Sequence, residues 1–325
     1  MKKLLALPLV LFLTVLCVAC GAAASQASIG NSVSEAMPNN ARIGALLLLS
    51  NDYNNQMRAG IEQAAEANGY GFMSVVSNFD PELELSGLET LYASGVRAFY
   101  TISIGPDALR EEVKKYPDLG VLCHNNPSFH ATVIEDNATI VRSFCESVKT
   151  FMEDKGMDTA EIAALWIPGT MSNHTGVGFE AYTMLPEAVK DVFGDRVKIV
   201  TDLEARDASL EAAGNLTETV LNTFPNVRIF FNYNNDMAIA GANTIAAAIP
   251  NSTDYYVFSS EANDEVIRLI ASDSSPLRGC TMSDIQGFGY DAGMQLINWI
   301  ENGEMNDIAP KKVLIDNRNV SEFIN

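Results

Sequence analysis

The chain has 325 residues, of which 47% are hydrophobic and 19% charged, and its formal net charge at pH 7 is −20. This balance is that of a globular protein, and such a negative charge repels phosphate backbones, so we expect no nucleic-acid partner. Beyond the first 20 residues the cysteines are Cys123, Cys145 and Cys280, whose irregular spacing excludes a disulfide framework and a zinc ribbon. Whether two of them pair is left open.

The N-terminus is typical of an exported protein. Lys2 and Lys3 precede a nearly unbroken apolar run over 4–19, which is shorter than the about 20 apolar residues of a membrane span. The run ends in Val-Ala-Cys at Cys20, which resembles the lipobox of bacterial lipoproteins, although Cys17 stands where that family prefers leucine. We therefore predict a signal peptide over 1–19 and lipidation at Cys20. The alternative is plain secretion, with cleavage after residues 22–24.

A stretch rich in Ala, Ser, Gly and Asn follows over 20–40 and is expected to be a lipidated flexible tether. Together with the leader, it predicts an extracytoplasmic protein that is anchored to the membrane by lipid, at the cell surface or in the periplasm.

From Arg42 onward, strand-length apolar runs alternate with helix-length amphipathic segments. The run Ile43–Leu49 is typical of a parallel strand buried on both faces, and a polar turn over 51–55 separates it from the first helix. The alternation predicts further strands over 71–76, 96–102 and 120–123, and helices over 56–68, 81–94 and 106–116. Such a series favours a parallel sheet with helices on both faces.

The series then restarts with a helix over 140–152. It continues with strands over 161–167, 197–201, 227–232 and 255–259, and helices over 178–193, 208–223, 237–248 and 264–271. Two α/β units of similar size are therefore expected. In open parallel sheets ligands bind beyond the carboxyl ends of the strands, and the loops predicted there are rich in Asn, Ser, Thr, Asp and Tyr. These groups suit a neutral polar ligand.

Segment 231–238 reads FNYNNDMA and is followed by Gly241-Ala242. This segment resembles the strand–loop–helix of type I periplasmic sugar-binding proteins, and the likeness runs from Arg42 to about Val313. Weaker pieces stand in the same order at Gly60, Gly69-Tyr70, Gly95-Val96, Asp136-Asn137 and Gly176-x-Gly178-Phe179. The chain thus resembles the ribose- and galactose-binding lipoproteins of ABC transporters.

The resemblance implies two Rossmann-like lobes with parallel sheets, joined by three crossover segments. The amino-terminal lobe would take residues 42–138 plus 284–312, and the carboxyl-terminal lobe 139–283 plus 313–325. A small ligand would bind between the lobes, which close on it like a hinge. The closed monomer would then dock on a membrane permease. Sugar-responsive repressors share these lobes, but nothing here resembles their DNA-binding headpiece.

The resemblance also implies ligand-binding residues in the amino-terminal lobe. Asn51, Tyr53 and Asn54 stand where the family has a polar residue and ring-stacking aromatics, and Tyr53 alone keeps the aromatic role. Asn125 and Asn126 stand where the family often has an Asp-Arg pair that clamps sugar hydroxyls, so hydrogen bonding is kept and charge is lost.

In the carboxyl-terminal lobe, Thr175 stands where the family usually has an arginine. Arg206 would restore the lost positive charge or lie as a surface arginine at a helix start. Asn234 matches the family's cleft asparagine, and Glu261 falls where an aspartate commonly accepts from sugar hydroxyls. At the third crossover, Ser283 or Asp284 takes the place of a glutamine.

His124, with Cys123 and His130, could be interpreted as a metal site, but the chain has only 3 histidines and no ligand spacing recurs, so no metal or cofactor is expected. Motifs for nucleophilic, metal or phosphate chemistry are absent from the sequence, which argues against an enzyme. The expected function is ligand capture for an ABC importer, with a sugar as the leading ligand. The alternatives are a sensor of the same fold that signals to a histidine kinase or chemoreceptor, and a nucleoside, autoinducer-type or amine-bearing ligand.

Overall fold

A computed structural model describes residues 41–172 and 178–324 of the chain. The predicted signal peptide, Cys20, the tether and Thr175 lie outside the described residues. Within those two ranges, no helix is both long and apolar enough to cross a membrane.

Strands and helices alternate along most of the described chain. In chain order they are β1 (Arg42–Leu47), α1 (Asp52–Ala67), β2 (Gly71–Val76), α2 (Pro81–Ala93), β3 (Val96–Thr101), α3 (Pro106–Val113), β4 (Gly120–His124), β5 (Ala131–Val133), α4 (Asn137–Lys155), β6 (Ala160–Trp166), α5 (Phe179–Phe193), β7 (Val197–Glu204), α6 (Leu210–Thr223), β8 (Val227–Asn232), α7 (Asn235–Ala248), β9 (Tyr256–Ser259), α8 (Asp264–Ala271), β10 (Leu277–Met282), α9 (Ile285–Asn302) and β11 (Val313–Asp316).

The strands form two sheets, one in each lobe. The first is parallel throughout, in the order β2-β1-β3-β4-β5. The second has the order β11-β10-β9-β8-β6-β7 and is parallel except for the pair β10–β11. Two α/β lobes with parallel sheets were predicted from the alternation of apolar segments, and this fold class is confirmed.

The structure adds three strands that the apolar pattern did not predict, namely β5, β10 and β11. It also corrects the start of the first helix, because α1 begins at Asp52 and not at residue 56. Asn51 caps this helix by accepting a hydrogen bond from the backbone N–H of Asn54 at 3.0 Å. Tyr53 and Asn54 therefore lie in the first turn of a helix, whereas the sequence alone predicted a polar turn at these residues.

Helix α9 packs against α1 through glycines, which brings the chain back to the first lobe. A methyl group on Gly289 would lie 2.5 Å from the carbonyl oxygen of Met57, and one on Gly293 would lie 2.5 Å from the Cβ of Ala64. A methyl group on Gly60 would meet the carbonyl oxygen of Gln286 at an even shorter distance. The two helix backbones are thus in direct contact, and residues larger than glycine do not fit at these positions.

Two segments that pass between the lobes are tied together by hydrogen bonds and an ion pair. The segment after β5 and the segment after α9 exchange backbone bonds, with Ile134 N–H donating to the Ile308 carbonyl at 2.8 Å. Beside them, Lys312 Nζ lies 2.7 Å from Glu135 Oε1, with 2% and 8% of the two side chains exposed. His124 Nε2 lies 3.1 Å from the other oxygen of Glu135.

This surrounding decides the ionisation of Glu135. Burial alone would raise the pKa of its carboxyl, but the charge of Lys312 and the contact with His124 outweigh burial and lower the pKa to about 2. Glu135 is therefore held as a carboxylate between the two crossover segments.

Substitution of Gly60 by alanine tests the contact between α1 and α9. We expect Gly60→Ala to lower the free energy of unfolding by about 3 kcal/mol, since two backbones must separate to admit the methyl group. The matched control is Gly214→Ala in α6, where the nearest atom to the new methyl group is Thr244 Oγ1 at 3.5 Å. That variant should gain up to about 1 kcal/mol from helix propensity. Denaturant unfolding measures both, and equal effects would refute the close approach.

Removal of Lys312 tests the crossover ion pair. At pH 7 we expect Lys312→Met to cost about 3–5 kcal/mol of unfolding free energy, because Glu135 is left as a buried charge without its cation. The control is Lys311→Met, because the neighbouring Lys311 is exposed. This substitution should lower the free energy of unfolding very little.

The pH dependence separates charge from packing in this variant. The folded pKa of Glu135, about 2, lies below the value of 4.5 for a free glutamate. The stability that the pair contributes is therefore present above about pH 4.5 and is lost as pH falls toward 2. Denaturant unfolding of the parent and Lys312→Met should accordingly converge at low pH, and a gap that is constant with pH would argue against the ion pair.

Candidate functional site

A cavity of about 70 Å³ lies between the two sheets, at the carboxyl ends of their strands. A small cavity that both lobes line suits a small molecule and not an oligomer. The residues that line it follow β1, β2, β3 and β4 in the first lobe and β6, β7, β8 and β9 in the second, together with the crossover segment and α4. They are Leu48, Leu49, Asn51, Tyr53, Asn54, Phe79, Ile102, His124, Glu135, Ile140, Ile167, Ala208, Tyr233, Asn234, Ser260 and Glu261.

Two asparagines on opposite walls of the cavity are also helix caps. Asn51 Oδ1 accepts from the backbone N–H of Asn54, and Asn234 Oδ1 accepts from the backbone N–H of Met237 at 2.7 Å. Capping uses the oxygen of each amide and leaves its NH₂ group as a hydrogen-bond donor. Among the described residues, the Asn234 NH₂ group makes only a long contact of 3.5 Å to the carbonyl of Ala208. These groups can donate to the oxygens of a ligand.

The walls also offer acceptors without partners. Within the described residues, Asn54 Oδ1 and Ser260 Oγ are buried and make no hydrogen bond. Both residues line the cavity. A buried polar atom without a partner costs free energy, so both atoms are poised to bind a polar group that enters the cavity.

Strained backbone is concentrated around the cleft. Positive φ angles occur at Phe79 (59°) and Ala208 (54°), which line the cavity, and at Asn125 (47°), which lines an adjoining pocket. Bulky residues such as phenylalanine rarely adopt this conformation, and residues held in it cluster at functional sites. The turn formed by Asn78 and Phe79 after β2 thus presents an aromatic ring to the cavity.

Two tyrosines complete the aromatic lining. The ring of Tyr53 meets the ring of His124 edge-on, with 6.2 Å between the ring centroids. Tyr233 lies on the opposite wall, and its hydroxyl donates to Asn137 Oδ1 at 2.6 Å. Burial is the main cause that raises the pKa of both phenols, so both stay neutral.

Glu261 brings a carboxylate to the cavity from the end of β9. The backbone N–H of Asn235, at the start of α7, favours the ionised form of this carboxylate. Burial raises the pKa of this carboxyl to about 7, the charge of Lys312 opposes that rise, and Glu135 adds to it. The group therefore changes its charge near neutral pH.

Five of the predicted ligand-binding residues come together in this cavity, namely Asn51, Tyr53, Asn54, Asn234 and Glu261. The predicted Ser283 lies behind Glu261, in a recess shared with Asp52 and Lys312, and its buried hydroxyl has no partner among the described residues.

Asn125 and Asn126 lie elsewhere in the cleft. They line an adjoining pocket of about 520 Å³ that shares Ile102 and His124 with the cavity. Their side chains stabilise local structure, since Asn125 Oδ1 accepts from the Glu135 N–H at 2.8 Å and Asn126 Oδ1 from the Ser128 N–H at 3.1 Å.

Arg206 does not reach the cavity. Its side chain is 92% exposed, and its nearest acidic neighbour is Asp207 at 3.7 Å. Of the two interpretations that the sequence allowed, the structure favours the surface arginine, because the loop before α6 directs the side chain to solvent.

Sequence reasoning did not select Phe79, Glu135 or Lys312. The sequence does indicate the position of Phe79. The helix start at Asp80-Pro81 that follows it places Phe79 in the loop after a strand. Lys312 carried none, since it reaches Glu135 only through the return of the chain after α9. His124 was considered as a metal ligand, but it contacts Glu135 and Tyr100, while His130 Nδ1 accepts from the Val121 N–H. No group of three or more metal-ligating side chains occurs in the described residues.

Several solved structures have a fold similar to the one described above. A carbohydrate-transporter solute-binding protein of Agrobacterium radiobacter, in complex with D-arabinose, is 17% identical, with a TM-score of 0.75 over 88% of this chain and 99% of that one. An ABC-transporter solute-binding protein of Bacillus halodurans with bound myo-inositol is 15% identical, with a TM-score of 0.74 over 90% and 99%. A 5-methylthioribose-transporter protein of Thermotoga lettingae is 15% identical, with a TM-score of 0.75 over 88% of each chain.

A search of curated protein sequences finds no match. The family model described as "Periplasmic binding protein domain" matches residues 46–305, which is most of the chain and includes strands of both sheets. Membership implies a place outside the cytoplasm. The resemblance that the sequence indicated is confirmed, and the chain belongs to the periplasmic binding protein family.

Proposed function

We propose that this protein is the extracytoplasmic solute-binding component of an ABC importer and that it captures a small sugar or polyol in the cavity between its lobes. The observation that carries this proposal is the cavity itself, which both lobes enclose and to which both contribute hydrogen-bonding side chains. The similar folds with D-arabinose and myo-inositol bound support the ligand class.

The lining suits a molecule with hydroxyl groups and C–H faces. Leu48, Ile102 and Ile167 offer apolar surface, and the rings of Phe79 and Tyr53 suit the C–H face of a sugar. Asn51 and Asn234 donate hydrogen bonds, while Glu261 accepts them. A ring or a short polyol with several hydroxyls satisfies both kinds of surface at once.

Capture would proceed by hinge closure, without any bond being made or broken. The lobes we propose take residues 42–138 plus 284–312 and 139–283 plus 313–325, and they would rotate about the crossover segments that Glu135 and Lys312 tie together. Few direct bonds hold the lobes shut at the cavity edge, where Asn235 Nδ2 lies 3.5 Å from Asp52 Oδ2. The ligand would therefore supply most of the free energy of closure.

Delivery requires a partner in the membrane. We propose that the closed form docks as a monomer on a permease, and that lipidation at Cys20 and the tether over 20–40 keep it within reach. A flexible segment of this length raises the local concentration of the protein at the membrane surface.

A panel of pentoses, hexoses and polyols tests the proposed function. Since a ligand that binds only the folded form stabilises it, a member present at about 1,000 times its Kd should add about 4 kcal/mol and raise the Tm by about 5–10 °C. Thermal unfolding of the full chain in mild detergent measures the shift. If no sugar or polyol raises the Tm but nucleosides do, the proposed sugar ligand would be replaced by a nucleoside.

Asn234→Asp tests the contribution of the capping amide to binding. Aspartate caps a helix as well as asparagine does, so stability should hold, while loss of the donating NH₂ group should weaken sugar binding about tenfold. Asn263→Asp is the matched control, because Asn263 caps α8 by accepting from Val266 N–H at 2.9 Å and does not line the cavity. Calorimetric titration gives both affinities, and unchanged binding by Asn234→Asp would remove this residue from the site.

A further inference from the structure

The charges around the cavity are not balanced. Two carboxylates line it, Glu135 and Glu261, and no lysine or arginine does so among the described residues. Glu135 is matched by Lys312 at 2.7 Å and by His124 at 3.1 Å. Glu261 makes no ion pair in the described part of the chain; Lys312, whose charge lowers the pKa of Glu261, makes its ion pair with Glu135.

Further acidic groups lie behind Glu261. Asp52 and Glu261 border the same small recess, and burial and the charge of Asp52 both raise the pKa of Asp236. Lys312 borders this recess as well, but its ammonium is shared with Glu135. A partly buried carboxylate without a cation costs free energy, and the start of α7 offsets part of that cost through the backbone N–H of Asn235.

We propose that the ligand carries a protonated amino group and that Glu261 binds it, so that an amino sugar or amino polyol is preferred to its hydroxyl counterpart. The inference rests on the proposed function and narrows its ligand class. It differs from what the bound molecules of the similar structures indicate, because D-arabinose and myo-inositol are neutral.

The arrangement of donors and acceptors favours an ammonium on this side of the cavity. An ammonium has three N–H donors and no acceptor. Glu261, Asn54 Oδ1 and Ser260 Oγ are acceptors, and the last two make no hydrogen bond within the described residues. An ammonium that donates to the Glu261 carboxylate forms an ion pair as well as a hydrogen bond, whereas a neutral hydroxyl forms only the hydrogen bond. The donating amides of Asn51 and Asn234 remain for the ligand hydroxyls.

Ionisation of Glu261 couples amine binding to pH. The charged or titratable groups facing it are Lys312, Glu135, Asp236, Asp52, Tyr53, Tyr100, Tyr233 and His124. An ammonium binds the carboxylate and lowers its pKa, so binding releases a proton below about pH 7. For an amine that stays charged throughout, affinity at pH 5.5 should be about thirtyfold weaker than at pH 8. A neutral sugar should show a much smaller change.

Calorimetric titration of the full chain in mild detergent tests the proposal with matched probes. The pairs are D-glucose with D-glucosamine, D-galactose with D-galactosamine, and sorbitol with 1-amino-1-deoxysorbitol. N-Acetylglucosamine and N-acetylgalactosamine supply uncharged amides of the same sugars. We expect at least one amine to bind tenfold or more tightly than its hydroxyl and amide counterparts, with proton release that is visible in buffers of different ionisation enthalpy.

Glu261→Gln tests the residue. The ratio of amine to hydroxyl affinity should fall to about one, and proton release should vanish, while Tm stays equal or rises because a partly buried charge without an ion-pair partner is removed. Glu265→Gln is the control: this glutamate lies in α8, pairs with Arg268 at 2.6 Å and has 45% of its side chain exposed. It should leave the preference intact.

The outcomes separate this inference from the proposed function. Binding of neutral sugars with no amine preferred in any pair overturns the inference and leaves the proposed function standing. An amine preference that survives in Glu261→Gln also overturns it. If no sugar, polyol or amine in the panel binds, the proposed function and the inference are both wrong.

Discussion

The ion pair of Glu135 with Lys312 is the constraint on which the cleft depends. It fixes the segment after β5 against the segment before β11, 2.7 Å apart between Nζ and Oε1, where the chain passes between the lobes. The same carboxylate holds His124, at the end of β4, by its second oxygen. One buried carboxylate thus joins the two crossover segments, contacts the His124 ring that lines the cavity and binds the ammonium of Lys312. The geometry of the crossover segments and the charge beside the cavity therefore both involve this ion pair.

Fold and site also share their polar groups at the helix starts. Asn51 and Asn234 each use the amide oxygen to cap a helix, so their NH₂ groups are held in fixed directions at the cavity. The cap fixes the rotamer, and the ligand does not have to order these side chains. Such double use explains why the residues that follow β1 and β8 are both structural and available for binding. It also means that substitutions there must keep the cap if their effect on binding is to be interpreted.

Features of the fold that follow from local sequence rules were predicted correctly. Buried parallel strands were recognisable as apolar runs, and the convergence of their carboxyl ends brings Asn51, Tyr53 and Asn234 to one cavity. Contacts between residues distant in sequence could not be predicted, because nothing near Lys312 indicates that the chain returns beside Glu135. The positive φ of Phe79 likewise has no signature in residue type, because a phenylalanine rarely adopts this conformation.

The placement of charges around the cavity is another feature that the sequence alone does not predict, and it bears on function. The net charge of −20 is a property of the whole surface and predicts solubility and repulsion of phosphates. It does not reveal that the cavity holds one carboxylate with a cation and one without. Arg206 could have supplied the missing cation, but its side chain is 92% exposed and turned to solvent. A partly buried carboxylate without an ion-pair partner costs free energy in the folded protein, so the proposed role of Glu261 would exchange some stability for ligand selectivity.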